Sequence, residues 1–175
     1  MRVFVTVGLE AFAFDRLVGA MDEAVAAGLL PADTFIQYGS STRRLRFIGG
    51  ADYLDYPQMC ERVRNADVIV THAGVGTFLL CHDAGKVPVI LPRWRRLGEH
   101  VDDHQVEFSH AVAGLGLAVV ADPAGSLRGR ELATAIVAQF HAASAGLSSA
   151  IGNAGAPSLA AHVGRLLAGA SMSRG

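Results

Sequence analysis

Residues 67–77 constrain this chain more than any other stretch. Asp67-Val68-Ile69-Val70 reads as a buried strand, and Thr71-His72-Ala73-Gly74-Val75-Gly76-Thr77 as a glycine-flanked turn. The turn leads into Phe78-Leu79-Leu80-Cys81-His82-Asp83-Ala84-Gly85, which reads as a short helix. An apolar strand running through a glycine turn into a helix is the unit of a parallel sheet. Such a turn lets a ligand approach the backbone and aims the free N–H groups of the helix start at it, so phosphate is the expected guest. A nucleotide or nucleotide sugar is the ligand class that follows.

Strand-like and helix-like patterns alternate along the rest of the chain. Strands are expected near 2–7, 33–38, 45–49, 67–71, 87–92 and 117–121. The first helix starts at Asp15 as N-cap, carries Leu17, Val18, Met21 and Val25 on one face, and ends at Gly28. Further helices are expected over Pro57–Asn65, 77–84, 100–113 and 127–142. The fold class is therefore α/β, a Rossmann-like doubly wound parallel sheet of about six strands. Residues 1–143 form the ligand-binding domain. Residues 144–156, rich in Gly, Ala and Ser, read as a linker before a helical pattern over 158–167. That last segment either packs on its own domain or docks on a partner.

A net charge of -1 gives no electrostatic reason to expect nucleic acid. Cys60 and Cys81 lack CxxC spacing and read as buried, reduced thiols of a cytoplasmic protein. No apolar run reaches membrane-spanning length, and Met1–Val7 reads as a first strand, not a signal peptide. Attachment to a membrane would have to come through a partner.

The standard nucleotide loops do not fit. The turn after the first strand, Val7-Gly8-Leu9-Glu10-Ala11-Phe12, has one glycine, and Leu79 stands where a third would follow Gly74 and Gly76. No GxxxxGK run exists. What remains is a set of loops at the carboxyl ends of the expected strands, where open α/β sheets bind ligands. These are Gly8, then Gln37-Tyr38-Gly39-Ser40-Ser41-Thr42, then His72 to Thr77, then Pro92-Arg93-Trp94-Arg95-Arg96 leading into Gly98-Glu99-His100-Val101-Asp102-Asp103-His104-Gln105.

Taken in order, these residues resemble the C-terminal, donor-binding half of GT-B glycosyltransferases of the family 28 type. The likeness is greatest to the small catalytic subunits of two-component enzymes. These include the bacterial exopolysaccharide and capsule transferases and the dolichol-pathway N-acetylglucosaminyltransferase. It rests on the His72-Ala73-Gly74 turn joined to the Gly98–Gln105 run, with Phe4–Gly8, Phe14–Val18, Phe35–Gly39, Met59, Gly85-Lys86 and Pro92-Arg93. The resemblance implies a UDP-sugar donor, an inverting outcome and no metal or other cofactor. It also implies a membrane-anchored acceptor-binding subunit and a lipid-linked acceptor. The chain itself would sit peripherally at the inner face of the membrane.

The resemblance implies that Gly8 lets the first loop approach the donor and that Gln37 and Gly39 lie near the nucleotide. Gly74, Gly76 and Thr77 would hold the diphosphate, and Asp103, His104 and Gln105 would face the sugar or its phosphates. His72 is a diphosphate or sugar neighbour, or else a histidine satisfying local backbone groups. Arg93, Arg95 and Arg96 neutralise phosphate or an anionic membrane surface, or else belong to a solvated loop, with Arg93 favoured for the site; Ser40 is a donor contact or turn chemistry. Trp94 covers the core edge or enters a membrane interface or partner pocket. His100, Asp102, Asp103 and His104 could be read as a metal cluster, but residues 102, 103 and 104, placed consecutively on one helix, would point apart and could not all share an ion. Two positions depart from the family's pattern: Leu9 replaces a usual Thr, and Leu80 stands where a glutamate often bonds the ribose. A leucine accepts no hydroxyl proton, which keeps a non-catalytic nucleotide-sugar-binding protein as the alternative. No G-x-S-x-G elbow supports a small hydrolase, and no residue is assigned as catalytic base.

Overall fold

A computed structural model describes residues 1–122, 125–126 and 128–146. Within them lies an all-parallel sheet of six strands: β1 Val3–Thr6, β2 Phe35–Gln37, β3 Gly49–Ala51, β4 Val68–His72, β5 Val89–Leu91 and β6 Val119–Val120. The strand order is β3-β2-β1-β4-β5-β6. Five α-helices join them: α1 Asp15–Ala26, α2 Tyr56–Asn65, α3 Val75–Asp83, α4 His104–Gly114 and α5 Gly129–Ser144. Strand order reverses between β1 and β4, which pair in register from Val3–Val68 to Thr6–Thr71. Their following loops diverge there and open a crevice.

Both faces of the sheet are covered, and period-two alternation decides which residue goes where. Val3, Val5, Val68, Val70, Val89 and Leu91 point to a core shared with Leu17, Val18 and Met21 of α1 and Leu132 and Ile136 of α5. Phe4 and Ile69 point the other way, onto Val63 of α2 and Cys81 of α3. Ile90 joins Phe78 of α3 and Phe108 and Val112 of α4. Cys81 is fully buried and its thiol is pushed up to about 12, so it is inert; Cys60 is only partly buried, contrary to the expectation for both.

The third strand lies later than the apolar pattern predicts. Residues 46–48 are not paired with β2. The carboxylate of Asp22, buried on α1, accepts the backbone N–H groups of Arg46, Phe47 and Ile48. The chain joins β2 only at Gly49–Ala51, where Gly50 fits because a Cβ would overlap the Ile36 carbonyl. Asp15 also differs from its expected role. It is the first helical residue, with Phe14 at the cap position. Its carboxylate accepts from the Thr42 N–H and hydroxyl and the Arg43 N–H, tying the loop after β2 to α1. Of the linker expected over 144–156, Ser144 instead closes α5, and residues 147–156 and the expected helix over 158–167 lie outside the described residues. Among the described residues no helix is long and apolar enough to cross a membrane.

Candidate donor-binding site

A cleft of about 670 Å³ opens at the β1/β4 switch point. Helix α3 begins at Val75, two residues earlier than expected, which makes Gly74 its N-cap and puts Gly76 in its first turn. The amides that follow have no preceding helical carbonyls and face the cleft end of the helix. Of the sequence-predicted residues, Gly8, His72, Gly74, Gly76, Thr77, His104 and Gln105 line this cleft. A second hollow of about 470 Å³, beside Arg2, Phe35 and Arg62, lies at the amino ends of β1 and β2, where no helix start points.

His72 is the structural centre of the cleft floor. Its ring is wedged between two glycines: a Cβ on Gly8 or on Gly74 would overlap the imidazole. Gly8 also takes a φ of +80°, a conformation that side chains disfavour. Gly76 differs, because a Cβ there meets nothing. Two of the three glycines are thus required by the histidine, and the third leaves space for something outside the chain. Thr71 Oγ1 lies 3.2 Å from His72 Nδ1.

Burial drives the His72 pKa down to about 3, and the charge of Arg93 and then His100 push the same way, against a ring bond to the Thr6 carbonyl. His72 is therefore neutral near pH 7 and offers a hydrogen bond, not a charge. An unfolded histidine titrates near pH ~6.5, so between there and pH 3 the unfolded chain binds the extra proton. The stability this group contributes is complete above pH ~6.5 and declines as pH falls, at up to about 1.4 kcal/mol per unit. Urea unfolding at pH 6, 5 and 4 should show His72→Asn losing stability less steeply than the parent chain. Parallel slopes would mean that the folded ring takes up a proton.

The other five predicted residues stand behind the cleft and fix its walls. Gln37, fully buried, bonds to Thr6 Oγ1 and donates its amide to the carbonyls of Gly8 at 3.0 Å and Asp52 at 2.9 Å. Gly39 takes a φ of +55°, and a Cβ there would overlap Val7 and crowd the Gly8 carbonyl. Ser40 Oγ donates to the Glu10 carbonyl at 2.9 Å. Asp103 Oδ1 accepts the Arg95 N–H at 2.8 Å. Arg93 departs furthest from expectation. It is neither a solvated cation nor a wall of the cleft. Its side chain is fully buried, stacks 4.5 Å over Phe14, and donates to the carbonyls of Val7 at 2.8 Å, Phe12 at 2.9 Å, Ala13 at 3.4 Å and Glu99 at 3.2 Å. Gln105 accepts the Arg93 backbone N–H at 3.2 Å. Trp94 is half-buried beneath the Arg96 guanidinium, which stacks 4.5 Å from its ring.

Sequence reasoning assigned no site role to Glu10, Leu54, Tyr56, Val75, Leu79 or Asp83, which also line the cleft. Thr77, Leu80 and Asp83 all line the cleft, and their spacing of three puts them on one face of α3. That spacing was the available signal for Asp83. The expected helix over 100–113 begins only at His104. Residues 100–103 form a loop in which Asp102 Oδ1 accepts the His104 N–H at 3.2 Å, an Asx-type turn. The premise that Asp102, Asp103 and His104 diverge from one helix does not hold.

The comparisons with known proteins agree with this geometry. A crystal structure of the glycotransferase of kitacinnamycin superimposes with a TM-score of 0.65 at 22% identity, over 99% of this chain and 42% of that one. CalG4, the calicheamicin glycosyltransferase, gives 0.60 at 15% identity, over 95% of this chain and 43% of that one. The glycosyltransferase SnogD from Streptomyces nogalater gives 0.50 at 19%, over 82% and 39%. The chain thus spans less than half the length of the solved structures it matches, and at these identities the likeness is one of fold. No curated protein matches the chain. The sequence model of the glycosyltransferase family 28 C-terminal domain matches residues 2–128, from the residue before β1 to the residue before α5. A match over that span, on a six-stranded parallel sheet with its cleft at the β1/β4 switch point, makes this chain a member of the glycosyltransferase family 28 C-terminal domain family with a GT-B-type, Rossmann-like fold.

Proposed function

We propose that this chain is the donor-binding and catalytic subunit of a two-component inverting glycosyltransferase that moves a hexose from a UDP-sugar to a lipid-linked acceptor. Polysaccharide or glycan assembly is the setting, and a separate membrane-anchored subunit brings the acceptor to the inner membrane face. The observation that carries the donor assignment is the α3 N-terminus opening on the cleft, with Gly76 leaving room beside it. Charge grows on the departing diphosphate in the transition state. Fixed N–H dipoles at residues 74–77 stabilise that charge without reorganisation, and they hold a diphosphate without a metal. Neutral His72 adds a hydrogen bond, and His104 and Gln105 lie where the sugar or its phosphates would reach. The two-component assignment is supported by the resemblance of the Gly98–Gln105 run to small catalytic subunits.

Gly76→Ala tests the donor site without disturbing the fold. Its Cβ enters open space, and alanine favours a helix by about 0.5–1 kcal/mol over glycine, so thermal stability should hold or rise. Binding of UDP, followed by ligand-observed NMR, should weaken about tenfold, equivalent to about 1.4 kcal/mol. Undiminished binding would place the nucleotide somewhere other than the helix start. The same titration with UDP-glucose, UDP-glucuronate, UDP-galactose and UDP-N-acetylglucosamine ranks the donors, with NAD as the excluded class.

One observation favours a non-catalytic nucleotide-sugar-binding protein instead. Leu80 lines the cleft where the family often supplies a ribose-binding carboxylate. Transfer to a lipid acceptor by the chain co-purified with its partner subunit distinguishes the two. UDP-sugar binding without transfer in that complex would favour the binding protein.

A further inference from the structure

His100, Asp102 and His104 form a cluster of which the proposed function uses only His104. One ligand atom from each lies within 4.8 Å of the others. His100 Nδ1 is 3.3 Å from Asp102 Oδ1, and His104 Nδ1 bonds to that same oxygen. Donors around a tetrahedral zinc, each about 2.0–2.1 Å from the ion, stand about 3.3 Å from one another. The His100 pair already has that spacing. A small rotation of the half-exposed His104 ring brings the other to it.

The surroundings orient the donors inward. The Asp102 N–H points at His100 Nδ1 at 3.4 Å, which assigns the lone pair to Nδ1 and the ring proton to Nε2. Nε2 faces the Glu10 carboxylate at 3.9 Å. At 3.9 Å they are not hydrogen-bonded, but a small shift of the partly exposed Glu10 side chain makes the outer-shell contact that fixes the ring orientation of a ligating histidine and raises its basicity. His100 is nearly buried, with the Phe12 ring 5.8 Å away and the His104 ring edge-on at 4.6 Å, so the His100 ring is held in place. Two imidazoles and one carboxylate suit zinc and its neighbours in the first transition row better than magnesium or calcium.

We propose that His100, Asp102 and His104 bind one divalent transition-metal ion, zinc by preference, at the mouth of the cleft. The ion ties the 98–103 loop to the first residue of α4. Three protein ligands leave a coordination position open, and His104 lines the cleft, so that position is within reach of a cleft ligand's oxygen. The α3 N-terminus holds a diphosphate with or without the ion, and the site stands even if the cleft's ligand is not UDP.

The test uses the untagged chain, stripped with chelator and dialysed against Zn2+ without nucleotide. One equivalent of zinc per chain is expected, with Co2+ giving the intense visible bands of a low-coordinate site. His100→Ala and His104→Ala should each lower zinc affinity by more than tenfold, and Glu10→Gln, through the outer shell, by about tenfold. His110→Ala, an exposed histidine further along α4, should leave affinity unchanged. Circular dichroism of each variant establishes that it is folded. Less than stoichiometric zinc on the parent chain, or retention of full affinity by His100→Ala and His104→Ala, would overturn the site. So would an equal loss in His110→Ala, which marks adventitious surface binding.

Discussion

Arg16→Met should lower the stability of this domain by about 3–5 kcal/mol, the cost of leaving buried charges without their partner. Arg16 leaves α1 and joins two loops at the carboxyl edge of the sheet. Its Nε and Nη2 donate to the two oxygens of Glu99 at 2.9 and 2.8 Å, Nη1 pairs with Asp122, and Nη2 also reaches the Pro92 carbonyl at 2.8 Å. The Glu99 and Asp122 side chains are only 7% and 4% exposed, so water cannot take over when the guanidinium is removed. Both carboxylates hold backbone as well: Glu99 accepts the Trp94 N–H at 3.0 Å and Asp122 the Ser126 N–H at 3.0 Å. The loss therefore spreads to the loops after β5 and β6.

Removing the charges together separates ion pairing from simple packing. In Arg16→Met combined with Glu99→Gln and Asp122→Asn, no buried carboxylate remains unpaired, and the amide oxygens still accept the two backbone N–H groups. Most of the loss should return, because uncharged replacement of a buried network is close to neutral. Chemical denaturation of the parent, the single and the triple variant measures this. A single-variant loss under about 1 kcal/mol, typical of an exposed pair, would contradict the buried network. Failure of the triple variant to recover would assign the loss to the Arg16 stem.

This network also explains what the sequence could and could not disclose. Strands β1, β4 and β5 were legible because alternate residues feed opposite cores, and the α3 turn was legible because glycine and a following helix are local signals. Arg16, Asp22 and Arg93 were not. A charged residue on a helix or after a proline reads as a solvated face, yet Asp22 and Arg93 are buried where loops cross and offer their polar atoms to backbone groups from distant segments. That is why β3 was expected too early and why Arg93 was given to the ligand. Cleft residues contributed by β1, β4 and α3 could be named from local pattern. The His100–His104 cluster was visible in the sequence but set aside as a metal site, because a helix starting at residue 100 would point those side chains apart; the helix starts four residues later.

Gly74→Ala should cost about 2–4 kcal/mol of stability, from overpacking together with a poorer N-cap. The backbone there, at φ -84° and ψ 127°, suits alanine, so the cost is not conformational. It comes from the His72 ring, into which the new methyl would be driven. The ring cannot yield toward β1, because Gly8 closes the other side. Relief must come from moving α3 or rotating His72 off the cleft floor. Either change displaces the amides of residues 74–77, so UDP binding should weaken about ten- to a hundredfold. A double-mutant cycle with His72→Ala identifies the cause, since removing the ring should return the overpacking part while leaving the cap penalty. Gly8→Ala provides the contrast. It meets the same ring but also carries a φ of +80°, so His72→Ala should rescue it less completely. Additive losses for Gly74→Ala and His72→Ala would show that the ring and the glycine do not compete for one space. The glycines at 8 and 74 would then be kept for the ligand, not for the histidine.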